Sequence, residues 1–549
     1  MKAVIKKIKF AWILIALCSG VSLAFVDDYF EISKNLDVFS SAFRELNFYY
    51  VDEIKPGELM KKGIDDMLES LDPYTNYIPE SDIEDYRFMT TGQYGGIGAT
   101  IKKVNGYLFV AEPYENFAAY KADLRAGDKL LEVDGKSLKD KSTDDVSKLL
   151  KGQPGTELTL KVEREGVAEP FFKVVKREEI KIDPVQYYGM LNDSVGYITL
   201  NQFTETASKD LKEAYNKLKE KNLKRLVLDL RGNPGGLLNE AVNICNMFLP
   251  QNSEIVSTKG KVKEWEKVYH ALNKPTDLQI PIVVLVNSGS ASASEIVSGT
   301  LQDCDRAVIL GQRTYGKGLV QTTRDLSYNS KLKVTTAKYY TPSGRCIQAI
   351  DYGNRNPDGS VGKVSDSLMK AFKTKAGRTV YDGGGILPDV KTDVKTYSKI
   401  AQSIVGKNLV FDFATKYRQK HEKIASPEEF TLTEAEFKEF IDFLKDKEYD
   451  YTTITEKMVK DLEEFLKEEK YSDLAMPEYE ALKKAAAHDK VADLNLFKDE
   501  IKEILEAEIV TRYYYQKGKI RYNISHDNDV KKAIGIVTDD KKYLSTFKL

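Results

Sequence analysis

The chain has 549 residues, too many for a single hydrophobic core, so several domains are expected. Hydrophobic residues make up 42% and charged residues 30%, which excludes a disordered or fibrous chain. With 82 Lys and Arg against 84 Asp and Glu, no overall basic field exists to hold a nucleic-acid backbone, and nucleic acid is set aside as a partner.

Lys2, Lys6, Lys7 and Lys9 precede an apolar run from Phe10 to Cys18 and a small-x-small pattern at Ser22-Leu23-Ala24. This pattern predicts an export signal over 1–24 and an exported, periplasmic chain. An uncleaved membrane anchor is the competing reading, with peripheral membrane association as its consequence, but Ser19, Gly20 and Ser22 leave the run short of the roughly 20 apolar residues of a bilayer span. Leu17 stands before Cys18 where a lipid-attachment site would carry a small residue. Cys245, Cys304 and Cys346 remain, an odd number at no metal-ligand spacing, so neither a disulfide framework nor a metal is expected, and nothing calls for a cofactor.

Residues 28–90 show three- and four-residue apolar spacing, as in FSSAFRELNFYYV and ELMKKGIDDMLESL, and read as a helical domain. From TGQYGGIGATI the texture changes to short alternating runs punctuated by Asn105-Gly106, Asp134-Gly135 and Pro154-Gly155, a compact β-rich domain over 91–180. Residues 181–398 carry the β-branched runs VGYITL, RLVLDL, IVVLV and AVIL, with the amphipathic TASKDLKEAYNKLKEK between the first two, which indicates an α/β core. Residues 399–549 are charged and helix-periodic, as in EAEFKEFIDFLKDKEY. They read as a C-terminal helical domain of unknown role whose Lys/Glu runs are solvated faces.

The segment PIVVLVNSGSASASEIVSGTLQD runs from an apolar strand through a small-residue turn into a helical pattern. Ser292 stands at that corner, and the amide of Ala293 points from a helix N-terminus, where partial positive charge favours an oxyanion. Ser-x-x-Glu is also a capping box, so Ser292 as N-cap with Glu295 as its partner is the plain alternative. The G-x-S-x-G elbow is absent, since Gly289 stands three residues before Ser292. Of four histidines, His421, His488 and His526 fall in the C-terminal region and His270 follows a polar stretch, which argues against a histidine base. Lys317, between Gly316 and Gly318 in AVILGQRTYGKGLVQTT, could act as a neutral base if held against an apolar wall. GQRTYGKG also matches G-x-x-x-x-G-K of a phosphate-binding loop, but Gly318 replaces the Ser or Thr and LVQTT reads as strand where a helix is required. In LVLDLRGNPGGLLNEAV, Gly235 and Gly236 follow a strand and expose amides toward a neighbouring site, or serve as a tight strand-helix turn.

Taken together, DLRGNPGG, NSGSASASEI and TYGKGLVQ resemble the carboxyl-terminal processing, or tail-specific, serine peptidases, and YGGIG, TPSGRCIQ and GGILPD extend the resemblance over roughly residues 30 to 390. The resemblance implies a multidomain α/β protein: an N-terminal helical segment, a PDZ-like domain, a ClpP/crotonase-like protease core, and the C-terminal helical domain outside the match. It implies Ser292 as nucleophile and Lys317 as base, with the third residue either Gln321, which we favour, or an acid, Glu295 or Asp303. It further implies an oxyanion hole from Ala293 and Gly235, with Gly236 as the alternative. Tyr94, Gly95, Gly96, Ile97 and Gly98 would hold a peptide's terminal carboxylate while the peptide adds a strand. Substrates are then proteins or peptides with free C-termini, cleaved near those ends, and assembly as a homodimer through the helical regions is expected. The competing reading on the same fold is a catalytically inactive peptide-binding relative.

Overall fold

The computed structural model describes residues 29–547 apart from Pro357 and His488. The expected export signal at 1–24 lies outside the described residues. The chain forms two compact units. In the smaller, helix α1 (29–49) and helix α2 (Pro56–Glu69) group with residues 323–334. A third helix, Ile83–Thr91, belongs instead to the larger unit, where the Glu205 amide donates to the Thr90 carbonyl at 3.1 Å. The helical domain read over 28–90 therefore divides near residue 77.

The β-rich domain begins with strand β1 (Gln93–Gly96), which pairs antiparallel with β7 (Glu178–Lys181). Strands β2 (Ala99–Val104), β3 (Tyr107–Pro113), β4 (Lys129–Val133), β5 (Glu157–Glu163) and β6 (Phe171–Lys176) follow as one antiparallel sheet in that order. Helix α3 (Thr143–Leu150) packs beside β2, burying Val146 and Leu150. Strand β2 is an end strand of the sheet, so one edge of its backbone has no partner within that sheet.

The α/β core is a six-stranded sheet in the order β8 (Val185–Met190), β9 (Val195–Leu200), β10 (Arg225–Asp229), β11 (Ile282–Val286), β12 (Val308–Gly311), β15 (Val390–Lys391). All neighbours are parallel except β8 and β9, as the registers Val195↔Arg225, Leu226↔Ile282 and Val283↔Val308 show. Helices α4 (Ala207–Glu220), α5 (Leu238–Phe248) and α6 (Ala293–Asp303) cover one face. Leu211, Ala214, Tyr215 and Leu218 supply the buried stripe of α4 at the three- and four-residue spacing an amphipathic helix needs. All five residues of β11 are buried, the composition expected of a parallel strand covered on both faces.

Chain from the C-terminal region covers the second face. Helices α7 (Lys399–Gly406), α8 (Leu409–Lys420), α9 (Glu434–Leu444), α10 (Ile454–Glu468), α11 (Ser472–Ala486) and α12 (Lys498–His526) form the helical domain, but α13 (Asn528–Val537) and α14 (Asp540–Ser545) return to the core. Val530, Ala533, Ile536, Val537 and Tyr543 pack on Val195, Tyr197, Val227, Val283, Leu285, Val308 and Leu310. The boundary at 398/399 thus separates the helical domain in sequence, while its last helices complete the α/β layers. The other end of the domain grips the β-rich domain. Lys102 on β2 donates to Asn408 Oδ1 at 3.0 Å and lies 3.1 Å over the Phe411 ring.

Candidate active site

Ser292 stands between β11 and α6 with φ 54° and ψ −113°, a backbone conformation that residues with a side chain seldom adopt. Such an outlier persists only where its surroundings over-determine it, and three segments do so here. Ala291 N–H and Ser294 Oγ both donate to the Asn233 carbonyl, at 3.0 and 2.9 Å, tying the serine turn to the GNPGG turn. Ser290 Oγ donates to the Leu230 carbonyl at 2.8 Å, and the Gly232 amide donates to Asn287 Oδ1 at 2.9 Å. The third segment joins where the Tyr315 amide donates to the Ser290 carbonyl at 3.0 Å.

Glu295, wholly buried on the first turn of α6, connects the Ser292 turn and the Lys317 segment. Its Oε2 accepts the Ser292 amide at 2.8 Å and the Lys317 amide at 2.9 Å. Its Oε1 accepts Thr314 Oγ1 at 2.5 Å and the Gly316 amide at 2.8 Å. Burial pushes this carboxyl above the usual carboxylate range, and the four donors pull it back. The capping role read from the sequence is real, but Glu295 also fastens the backbone of Lys317 to that of Ser292. Tyr339 donates to the Ser292 carbonyl at 3.2 Å, and burial beside Glu295 holds its phenol well above the usual range.

The glycines flanking Lys317 let this segment lie against chain 348–349. Gly316 has φ +88°, and a Cβ there would stand 2.3 Å from Ala349 Cβ, while one on Gly318 would meet the Gln348 amide nitrogen at 2.8 Å. Lys317 itself is half-buried. Strand β13 (Leu319–Asp325) then carries Gln321, whose Nε2 donates to Thr335 Oγ1 at 3.2 Å on strand β14 (Lys331–Tyr340). Asp303 lies at the opposite end of α6, about 16 Å from Ser292 by helical rise, in a buried ion pair with Arg345 at 2.7 Å. The fold does not bring Asp303 to the serine.

Gly235 (φ +102°) packs so tightly that a Cβ would lie 2.8 Å from the Ala291 carbonyl oxygen and 2.9 Å from both Ala293 N and Ser292 Cβ. Its own amide is committed to Asn233 Oδ1 at 2.9 Å. Among the described residues, the amides of Ala293 and Gly236 have no protein acceptor, so of the two glycines the geometry favours Gly236 as the second donor. Asn233, fully buried with Nδ2 on the Leu200 carbonyl at 2.7 Å, organises this turn; the sequence marked it only as a rigid corner before Pro234.

The YGGIG segment is divided. Tyr94, Gly95 and Gly96 lie in β1, paired antiparallel with Glu178–Lys181, and only Ile97 and Gly98 form the turn into β2. Gly95 is required by close approach, since a Cβ would stand 2.1 Å from the Gly152 carbonyl oxygen. Elsewhere, His270 is exposed on strand Lys267–His270, and His421 and His526 stack on Tyr417 and Tyr522. Among the described residues no cluster of three or more His, Cys, Asp or Glu could hold a metal ion, and no helix is long and apolar enough to cross a membrane.

Family models match in three places: peptidase family S41 over residues 194–360, a PDZ domain over 109–164, and the C-terminal helical domain of PDZ-proteases over 400–537. A carboxy-terminal-processing protease of Bartonella bacilliformis is 40% identical over 322 residues, covering 58% of this chain and 73% of that protein. The chain belongs to peptidase family S41. A CtpA-like serine protease of Staphylococcus aureus is 40% identical over 316 residues, 57% of this chain and 62% of the relative, so the alignment spans less than two thirds of that protein. Among solved structures, a photosystem II D1 C-terminal processing protease is 28% identical over 65% of this chain and 92% of its own, with a TM-score of 0.35. This S41 peptidase thus joins a serine-peptidase core to a PDZ domain and a C-terminal helical domain.

Proposed function

We propose that the protein is an exported serine endopeptidase that cleaves near protein C-termini, with Ser292 as nucleophile and Lys317 as general base. One observation carries the reading: a single buried oxygen, Glu295 Oε2, holds the amides of both Ser292 and Lys317. Two backbone segments fixed from one atom keep a constant mutual geometry, the frame from which their side chains can exchange a proton. Lys317 takes the proton of Ser292 Oγ as that oxygen attacks the scissile carbonyl, and the amides of Ala293 and Gly236 receive the developing oxyanion. The lysine then returns the proton to the departing amine, and water hydrolyses the acyl-enzyme. We assign the orienting of the lysine amine to Gln321 and the placement of the two backbones to Glu295. Capture of the substrate tail is supported by the unpaired edge of β2 beside α3, directly after the Ile97–Gly98 turn. Export rests on the composition of residues 1–24. Dimerisation is supported by apolar side chains exposed along helices, Leu36, Phe39 and Leu46 on α1 and Ile454, Met458 and Phe465 on α10; light scattering on the mature chain tests it.

The decisive experiment compares Lys317→Arg with Lys317→Ala. Arginine keeps the positive charge but cannot shed its proton, so a base requires both variants to be equally inactive, with fluorophosphonate labelling of Ser292 lost in both. Substantial peptidase activity in Lys317→Arg would place the base elsewhere. Amidating a substrate's C-terminus is expected to weaken its capture, and equal turnover of acid and amide would remove tail recognition while leaving the peptidase intact.

A further inference from the structure

Besides its bonds to the backbone of Leu200 and Phe203, the GNPGG turn is held from two sides. On one side stands the serine turn already described. On the other stands Arg231, the residue that precedes it, which is held by the neighbouring Asp229 and by carboxylates from a distant part of the chain. Asp229, at the end of β10, accepts Arg231 Nε at 3.0 Å, a terminal guanidinium nitrogen at 2.6 Å and the Arg231 amide at 2.9 Å. Tyr197 also donates to Asp229, at 2.7 Å. The remaining guanidinium contacts go to the head of α13. Asp527 lies 2.8 Å and Asp529 3.5 Å from the terminal nitrogens. All four groups are at least three-quarters buried. Asp527 also caps α13 by accepting the amides of Asp529 and Val530, and α13 itself is locked on the sheet by Val530, Ala533, Ile536 and Val537. The head of this helix is therefore a fixed anchor, tied to a turn whose last residues carry an oxyanion amide.

We infer that Asp527 and Asp529 are positioning residues for catalysis, through which the C-terminal domain sets the GNPGG turn and hence the amide of Gly236. This rests on the serine-lysine reading above. A guanidinium shared among three carboxylates has its plane set by all of them. With the two from α13 neutralised, Arg231 keeps Asp229 and is not left as an unpaired buried charge, so the fold survives while the turn loses its tether to α13 and keeps those to the serine turn, Leu200 and Phe203. The expected loss is therefore in transition-state stabilisation, with ground-state binding of the peptide tail unaffected.

The test uses the full chain carrying Asp527→Asn and Asp529→Asn together, because Asn keeps the helix cap while removing the charge. Asp540→Asn serves as control: it breaks another ion pair between these helices and the core, with Arg225, away from the turn. Removing a whole oxyanion donor costs about 100- to 1000-fold in kcat, so a loosened one is expected to lower kcat about 10-fold with KM little changed. A peptide boronate, which places an anionic tetrahedral oxygen in the hole, is expected to bind the double variant more weakly by the same factor, and Asp540→Asn to retain wild-type values for both. Wild-type kcat in the double variant, or a fall in melting temperature with unchanged kcat and boronate affinity, overturns the inference and leaves a purely structural tether. An inactive wild-type chain would instead sink the peptidase reading on which it rests.

Discussion

At Gly235 one hydrogen atom in place of a methyl lets the GNPGG turn lie against the serine turn. Its φ of +102° already disfavours any side chain, and the Cβ position falls 2.9 Å from the Ala293 amide and from Ser292 Cβ. Alanine there would press on the Ala291 carbonyl, the Ala293 amide and Ser292 Cβ and displace the serine turn, while leaving the PDZ domain in place. We expect Gly235→Ala to lower kcat/KM by at least about 100-fold, the loss seen when an oxyanion donor is removed, with tail-peptide binding unchanged by calorimetry. Activity within a few-fold of wild type would mean the oxyanion lies elsewhere. Glu295 makes the complementary point. A hydrogen bond to a charged group is worth about 1.5–3 kcal/mol, and the Ser292 amide donates one to this carboxylate, which the Thr314, Gly316 and Lys317 donors hold in place.

At the scale of elements, the contact between β2 and α8 buries a lysine where an apolar side chain would fit. Desolvation pushes the Lys102 ammonium down to about 8 from its ordinary 10.5, with Glu508 and Asp412 pulling it up and Arg512 pushing the same way as burial. The folded value lies below the unfolded one, so between about pH 8 and 10.5 the unfolded chain binds more protons, and the contribution of this group to stability rises with pH across that window. Lys102→Met keeps the stem over the Phe411 ring and removes the charge. We therefore expect it to stabilise the chain at pH 7 and this advantage to shrink by pH 9.5, measured by denaturant unfolding at both pH values. Destabilisation at pH 7 would show instead that the cation–π contact and the Asn408 bond outweigh desolvation.

For the molecule as a whole, the C-terminal chain does two different jobs, and deletion separates them. Helices α13 and α14 cover a sheet face lined by Val195, Tyr197, Val227, Val283, Leu285, Val308 and Leu310. Ending the chain before Asn528 would expose that face, and burial of each such side chain is worth about 1.5–3 kcal/mol. We expect the truncated protein to aggregate on expression; a soluble, active product would contradict this packing. The hairpin of α10 and α11 is the opposite case. Its clearly buried apolar residues are few, Val459 and Tyr479 among those described, and Lys490 pairs with Asp450 across its base. Replacing residues 454–486 by a short Gly/Ser linker is expected to leave peptidase activity close to wild type, with any change in melting temperature limited to the loss of dimer contacts through α10.

What the sequence determined by itself is local. The strand-turn-helix passage at Ser292, the glycines around Lys317, the runs VGYITL and IVVLV and the amphipathic spacing of α4 depend on residues a few positions apart, and each could be read from periodicity and turn chemistry. Motif order supplied the family resemblance. The tertiary structure decided whatever depends on which atoms meet across long separations. Glu295 reads as a cap in sequence, and only the fold brings Thr314, Gly316 and Lys317 to its other lone pairs. The motif puts Gly235 first as an oxyanion donor with Gly236 as the alternative, and only the fold shows the amide of Gly235 taken by Asn233. Asp303 carries the same chemistry as Glu295, yet the helical rise places it with Arg345 at the far end of α6. Nothing near Asp527 or Asp529 in sequence announces Arg231, nearly three hundred residues earlier. A hydrogen bond or ion pair leaves no periodic trace when its two partners lie on different elements, so these positions became legible only once the sheet was layered between α4, α5 and α6 on one face and α13 on the other.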